Sequence, residues 1–256
     1  MLLAVDIGNS ATKFGVFDGD RLTSRFSITT NREISPEGLR HEIGDRLGPK
    51  IDAAIACSVV PEIDDAVSRF IADAFDIKAR FVLSTHDVGL TINFPVTTTG
   101  VDRLVNSFAA AEKYGVPCVV LSLGTATTLD VVSETREYLG GLIAPGMMVN
   151  ARALSLATSK LPEVNIKKPP SVVAQTTETA IQSGIVNGHI AMIKGLVERI
   201  KKELFSESTG QKPTIVATGG FASLIADEVS MIDTVDPDLT LMGLMMLYRR
   251  AVAKTS

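Results

Sequence analysis

Two short stretches of this sequence set hydroxyl and amide side chains beside glycine directly after an apolar run. Leu2 to Asp6 leads into Gly8-Asn9-Ser10, with Thr12 and Lys13 just beyond; Val119 to Leu121 leads through Ser122 into Gly124-Thr125-Ala126-Thr127-Thr128. Glycine lets backbone N–H groups approach an anion closely, and Ser10, Thr12, Thr125, Thr127 and Thr128 can donate further hydrogen bonds. That is the chemistry of a phosphate cradle. Asp6 carries the same sign of charge as a phosphate, so its natural role there is to hold Mg²⁺ or its waters. One such loop alone reads more simply as a hairpin turn, but two in matched positions favour phosphate.

A further reactive candidate sits in Thr97-Thr98-Thr99-Gly100-Val101-Asp102-Arg103. The threonines suit a helix cap, and an Asp in the first turn complements the helix dipole, which by itself accounts for Asp102. The alternative is a carboxylate that accepts the proton of a substrate hydroxyl during phosphoryl transfer, with Arg103 as ion-pair partner or anion clamp. Gly140-Gly141, Pro145-Gly146 and Gly219-Gly220 each permit close backbone approach to a ligand, although turns of that composition are common.

These residues need elements to hold them. The opening segment reads as strand, turn, strand, turn, strand, and residues 119–138 repeat the pattern. An ungapped offset of 116 aligns Gly8 with Gly124, Thr12 with Thr128, Val16 with Val132 and Asp18 with Glu134. Ser35-Pro36-Glu37 predicts a capped helix start with Leu39, Ile43 and Leu47 on one face. Strands are predicted over 51–58 and 213–217, and helices over 61–75, 101–114, 177–205 and 239–253. Strand and helix alternate within two halves, which predicts an α/β protein of two similar domains, 1–115 and 116–256.

The bulk composition limits the partners. The chain has 256 residues, a net charge of −4 and a hydrophobic fraction of 45%, so no positive field draws it to nucleic acid or anionic lipid. The start has no basic segment or cleavage site of a signal peptide, and no apolar run reaches the roughly 18 residues of a membrane span. Cys57 and Cys118 lie in separate apolar runs and read as buried reduced thiols, as suits a cytoplasmic protein. His41, His86 and His189 form no zinc spacing with them.

Taken together, the motifs resemble the type III pantothenate kinases of the actin-like ATPase superfamily. The resemblance is carried by Asp6-Ile7-Gly8-Asn9-Ser10, Ser58-Val59-Val60-Pro61, Gly100-Val101-Asp102-Arg103, Gly124-Thr125-Ala126-Thr127-Thr128 with Asp130, and Tyr138-Leu139-Gly140-Gly141. It continues through Ile143-Ala144-Pro145-Gly146, Gln182-Ser183-Gly184, Ala217-Thr218-Gly219-Gly220 and Asp236-Pro237-Asp238-Leu239-Thr240, and so runs in order along nearly the whole chain. It implies two actin-like (ribonuclease H-like) domains with the nucleotide cleft between them, a homodimer, and ATP-dependent phosphorylation of pantothenate as the first step towards coenzyme A. Asp102 would be the catalytic base. Asp6 would organise Mg²⁺; Gly8, Asn9, Ser10, Thr12, Lys13, Gly124, Thr125 and Thr127 would meet the phosphates, and Gly219 and Gly220 would lie near the nucleotide. Gly100, Asp102, Arg103 and Thr177 would bind pantothenate, with Arg103 there or at the dimer contact. The family pattern has Asp where this chain has Ser122, a position associated with a monovalent cation (K⁺ or NH₄⁺). Asn93-Phe94-Pro95-Val96 also lacks the tyrosine usual before the Gly-x-Asp-Arg motif. The alternatives to an active pantothenate kinase are a non-catalytic nucleotide-binding relative and a kinase of another small hydroxylated substrate.

Overall fold

The computed structural model describes residues 1–48, 50–83, 88–95, 99–205 and 212–255. Thr97 and Thr98, expected to cap a helix, and His86 lie outside them. The chain divides into two compact units, Met1–Ala109 with Asp238–Ser256, and Ala110–Pro237. The last helix thus returns to the first unit, whereas the sequence reading assigned it to the second.

The first unit is built on a five-stranded sheet of β1 (Leu2–Ile7), β2 (Ala11–Asp18), β3 (Arg21–Thr29), β4 (Ala53–Ser58) and β5 (Ala79–Phe81), in the order β3-β2-β1-β4-β5. The first three strands form an antiparallel meander, and β4 and β5 join in parallel beyond β1. One sheet face carries Leu3, Val5, Ile7, Phe14, Val16, Ala54 and Ala56 into a core with α1 (Pro36–Ile43) and α2 (Asp64–Phe75). The Ser35 hydroxyl caps α1 by accepting from the Gly38 N–H at 3.1 Å, and Pro36 at the first position loses no hydrogen bond there. Leu39 and Ile43 are buried as predicted, while Leu47 reaches the same core from a 3₁₀ turn, Gly44–Leu47. The opposite face packs against α7 (Leu239–Thr255), where the Leu241 side chain lies over Gly15. Gly243 of α7 meets Val105 and Ala109 of α3 (Val101–Tyr114), a helix with the predicted bounds.

The second unit repeats this plan. Its sheet of β6 (Cys118–Leu123), β7 (Ala126–Val132), β8 (Tyr138–Pro145), β9 (Thr214–Thr218) and β10 (Thr234–Val235) has the order β8-β7-β6-β9-β10, with the same pattern of antiparallel and parallel pairs. Its core lies against α5 (Thr177–Leu204), with α4 (Met147–Ala157) and α6 (Ala222–Ala226) alongside. A reciprocal capping box, Thr176 with Thr179, starts α5.

The register corrects the repeat. Ile7 pairs with Thr12, but Leu123 pairs with Thr127, so the second turn is one residue shorter. After the turn the true offset is 115, and Thr12 corresponds to Thr127. The bulges confirm it: the register slips between Val16 and Phe17 in one unit and between Val131 and Val132 in the other.

Candidate active site

In the first unit the site grows from sheet register. Residues opposite one another on neighbouring strands share a face, and Asp6 at the end of β1 lies opposite Lys13 on β2 and Cys57 on β4. This is the face away from the α1–α2 core. Asp6 is 7% exposed; Lys13 Nζ stands 3.5 Å from its Oδ2, and the Cys57 thiol points at its Oδ1 from 3.8 Å. Burial raises the Asp6 carboxyl above its ordinary 3.8, and the Lys13 ammonium works against that rise. The Cys57 thiol is pushed well above its usual range, first by burial and then by the charges of Asp6 and Asp102. Asp102, half-buried in the first turn of α3, thus belongs to the same neighbourhood as Asp6. Its carboxylate folds back over Gly100, where a Cβ would lie 2.6 Å from Asp102 Oδ1. Gly100 O accepts from the Arg103 N–H at 3.1 Å, starting the helix beneath it.

The first turn is held firmly. Gly8 N–H donates to Ala11 O at 3.2 Å, and Thr30 Oγ1 donates to Gly8 O at 2.7 Å. Thr12 Oγ1 lies 3.0 Å from Thr30 Oγ1. A hydroxyl has one proton, and that of Thr30 goes to Gly8, so Thr12 is the donor of the second bond. Thr12, expected among the phosphate ligands, is 1% exposed and directed at Thr30; burial and strand alternation turn it inward. Asn9 and Ser10 are exposed, and Arg32 donates to Asn9 Oδ1 at 3.1 Å while pairing with Glu62.

The second unit gathers Gly124, Thr125, Gly146 and Gly219. Gly124 N–H donates to Ala126 O at 3.0 Å, and Gly146 N–H donates to Thr125 O at 3.1 Å. A Cβ on Gly219 (φ +97°) would fall 2.5 Å from Leu123 O, so only glycine brings the Gly219-Gly220 turn this close to the β6 end. Thr125 and Gly220 are exposed, whereas Thr127 is buried. Ser122, Thr128 and Thr218 stand in register where the first unit has Asp6, Lys13 and Cys57. The ion pair of one unit is replaced by hydroxyls in the other. Asp130, two residues along β7, is buried and accepts from Tyr138 OH at 2.6 Å and Thr128 Oγ1 at 3.1 Å. Thr177 begins α5 and lines a cavity of about 870 Å³ between α4 and α5, walled largely by Ala153, Leu154, Ile181, Ile185 and Met192. The His189 ring nitrogens lie near Ile185 O and Pro145 O, a structural role.

Sequence reasoning missed Cys57 as a neighbour of Asp6 and Thr30 as a partner of the first turn. The β1–β4 pairing joins segments some fifty residues apart and leaves no local signal, and a threonine just past a strand end is unremarkable. Among the described residues no three His, Cys, Asp or Glu side chains gather into a self-sufficient metal site, and no helix is long and apolar enough to cross a membrane.

The model of the Type III pantothenate kinase family matches residues 2–199. A type III pantothenate kinase of Geobacillus sp. (strain WCH70) is 38% identical over 99% of this chain and 99% of its own length. Another, of Bacillus cytotoxicus, is 39% identical over 98% and 96%. Among solved structures, the activator of the 2-hydroxyisocaproyl-CoA dehydratase from Clostridium difficile, with bound ADPNP, aligns over 99% of this chain and 96% of its own with a TM-score of 0.50. At 13% identity that likeness concerns the fold.

Proposed function

The chain belongs to the type III pantothenate kinase family, and from that membership we propose that it moves the γ-phosphoryl group of ATP to the hydroxyl of pantothenate, giving 4'-phosphopantothenate on the way to coenzyme A. The observation that carries this reading is that the start of α3 stands against Val59, just past the end of β4, so that Asp102 and the Asp6 at the mouth of the glycine turn both act on the buried Cys57 thiol between their strands and helix.

Asp102 acts as the base. The substrate oxygen attacks the γ-phosphorus, its proton passes to the Asp102 carboxylate, the bridging P–O bond breaks and ADP leaves with the electron pair. Gly100 and Arg103 flank the base and, with Thr177, bind pantothenate. The backbone N–H groups around Gly8 and Gly124, the exposed Asn9, Ser10 and Thr125, and the Lys13 ammonium serve the phosphates, and Gly219-Gly220 lies by the nucleotide. Thr12 and Thr127, being buried, support the turns from behind.

Asp6 fits Mg²⁺, because that ion commonly takes only one or two protein carboxylates and completes its shell with phosphate oxygens and water. Bound with ATP, Mg²⁺ would neutralise phosphate charge. A carboxylate-held monovalent cation does not fit at the position of Ser122, which brings no charge and stands in register with the neutral Thr128 and Thr218. Residence in the cytoplasm and a homodimer complete the proposal, the latter supported by the exposed Ile143, Val149, Leu154 and Leu156 on β8 and α4.

The test is ADP release from Mg-ATP with and without pantothenate, for the wild type and Asp102→Asn. The wild type should show pantothenate-dependent ADP, and the variant should lose it by roughly 10²–10⁴-fold while still binding nucleotide. A fully active variant would remove Asp102 from the base role; a folded, ATP-binding wild type without pantothenate-dependent turnover would point to the non-catalytic relative or another acceptor.

A further inference from the structure

The two phosphate turns are closed by counterpart residues that do the same work by opposite means. In the first unit Ala11 pairs with Thr29, and the next residue, Thr30, donates its N–H to Ser10 O at 3.2 Å. In the second, Ala126 pairs with Pro145, and the next residue, Gly146, donates its N–H to Thr125 O at 3.1 Å. Thr30 and Gly146 therefore occupy one position of the repeat. At Gly146 any side chain is excluded, because a Cβ would lie 2.3 Å from Thr125 O and 2.4 Å from Gly124 O. The shorter turn presses directly on the strand that supports it. The first turn carries one more residue, so it stands further off, and the Thr30 side chain fills the gap.

We propose that Thr30 is a positioning residue for the ATP phosphates, resting on the kinase reading above. Three hydrogen bonds meet on it: its N–H to Ser10 O, its hydroxyl to Gly8 O at 2.7 Å, and the Thr12 hydroxyl into its oxygen at 3.0 Å. Fixing the carbonyls of Gly8 and Ser10 fixes the Gly8–Asn9 and Ser10–Ala11 peptide planes at the two ends of the turn, and so the direction of the Asn9 N–H offered to the ligand. Removing the hydroxyl leaves the Gly8 carbonyl without that donor and the buried Thr12 proton without its acceptor. The turn is then free to rotate, and nucleotide binding pays the ordering cost. The base on α3 is untouched, so the effect is confined to the nucleotide.

The experiment compares Thr30→Val, isosteric but without the hydroxyl, with Thr30→Ser, which keeps it, by steady-state kinetics and by calorimetric titration with Mg-ADP. Thr30→Val should raise the KM for Mg-ATP and the Kd for Mg-ADP about tenfold, with the KM for pantothenate unchanged, and Thr30→Ser should stay within about twofold of wild type. Thr12→Val, which removes one of the bonds and keeps the hydroxyl on Gly8, should shift the same two constants by about threefold; it stands in should Thr30→Val not fold, as circular dichroism would show. Unchanged nucleotide constants, a parallel rise in both KM values, or a Thr30→Ser protein as impaired as Thr30→Val would overturn the proposal. A wild type that turns over no pantothenate would instead sink the acceptor assignment, and the Mg-ADP titrations would still decide the role of Thr30.

Discussion

A Cβ placed on Gly100 would stand 2.6 Å from Asp102 Oδ1 and at an ordinary 3.7 Å from the nearest Val59 methyl, with no backbone atom in the way. Gly100 is not among the glycines with positive φ, so alanine suits its backbone. The whole strain of Gly100→Ala therefore falls on the carboxylate, which must retreat by about 0.8 Å to regain ordinary contact, and misplacement on the 1 Å scale costs about a hundredfold in rate. We expect kcat to fall by about 30–100-fold, the KM for Mg-ATP to hold within about twofold, and Tm to stay within a few degrees. A coupled ADP assay at saturating pantothenate, beside a thermal melt, measures all three. A Gly100→Ala enzyme with wild-type kcat would show that the carboxylate works equally well from its displaced position, and the argument from geometry to base would fail.

Two other outcomes follow from charge. Lys13→Gln leaves the burial of Asp6 opposed only by the Cys57 thiol, so its carboxyl rises further and the acid limb of kcat/KM for Mg-ATP moves to higher pH. The sign for stability is that of a carboxyl raised in the folded state. Its favourable contribution is complete below the unfolded value of 3.8 and is lost as pH rises through the folded value, so melts of the variant should show a deficit at neutral pH that shrinks in acid. As for cations, the Ser122–Thr128 pair lacks a carboxylate, so activity after dialysis should agree within about twofold in sodium and potassium buffers, with potassium stimulation appearing in Ser122→Asp. A strict potassium requirement in the wild type would mean that neutral oxygens suffice.

Much of the fold was legible where local chemistry is strong. The start of α1 was read from Ser35-Pro36, and α3 from the threonines before it and Gly115 at its end. The return into β8 at Tyr138 was read but not its extent to Pro145, and the helix α4 was not read. Gly140 and Gly141 make β8 look like a turn, and the α4 cap, Gly146, makes no side-chain hydrogen bond that a capping rule would recognise. The repeat was visible, but its one-residue deletion was not, because the doublet Thr127-Thr128 satisfies either alignment with Thr12. Of the site, the residues that advertise chemistry by type, Asp6 and Asp102, were found. Their companions Cys57 and Thr30 are set by strand register and by the length of a turn, neither of which a linear sequence states.

The path of the chain between its units bears on how the protein is made. The second unit is continuous, but the first is closed by α7, which leaves the ribosome only after the whole of the second unit. At about 5–20 residues per second, the segment after Ala109 takes roughly 7–30 s to appear. Throughout that interval the sheet face bearing Gly15 waits for Leu241 and its neighbours, its apolar surface open to chaperones or to other nascent chains. A premature stop codon before residue 239 would thus spare every residue named in the active site and still yield a polypeptide with half its first sheet bare, one that quality control should remove before catalysis is ever in question.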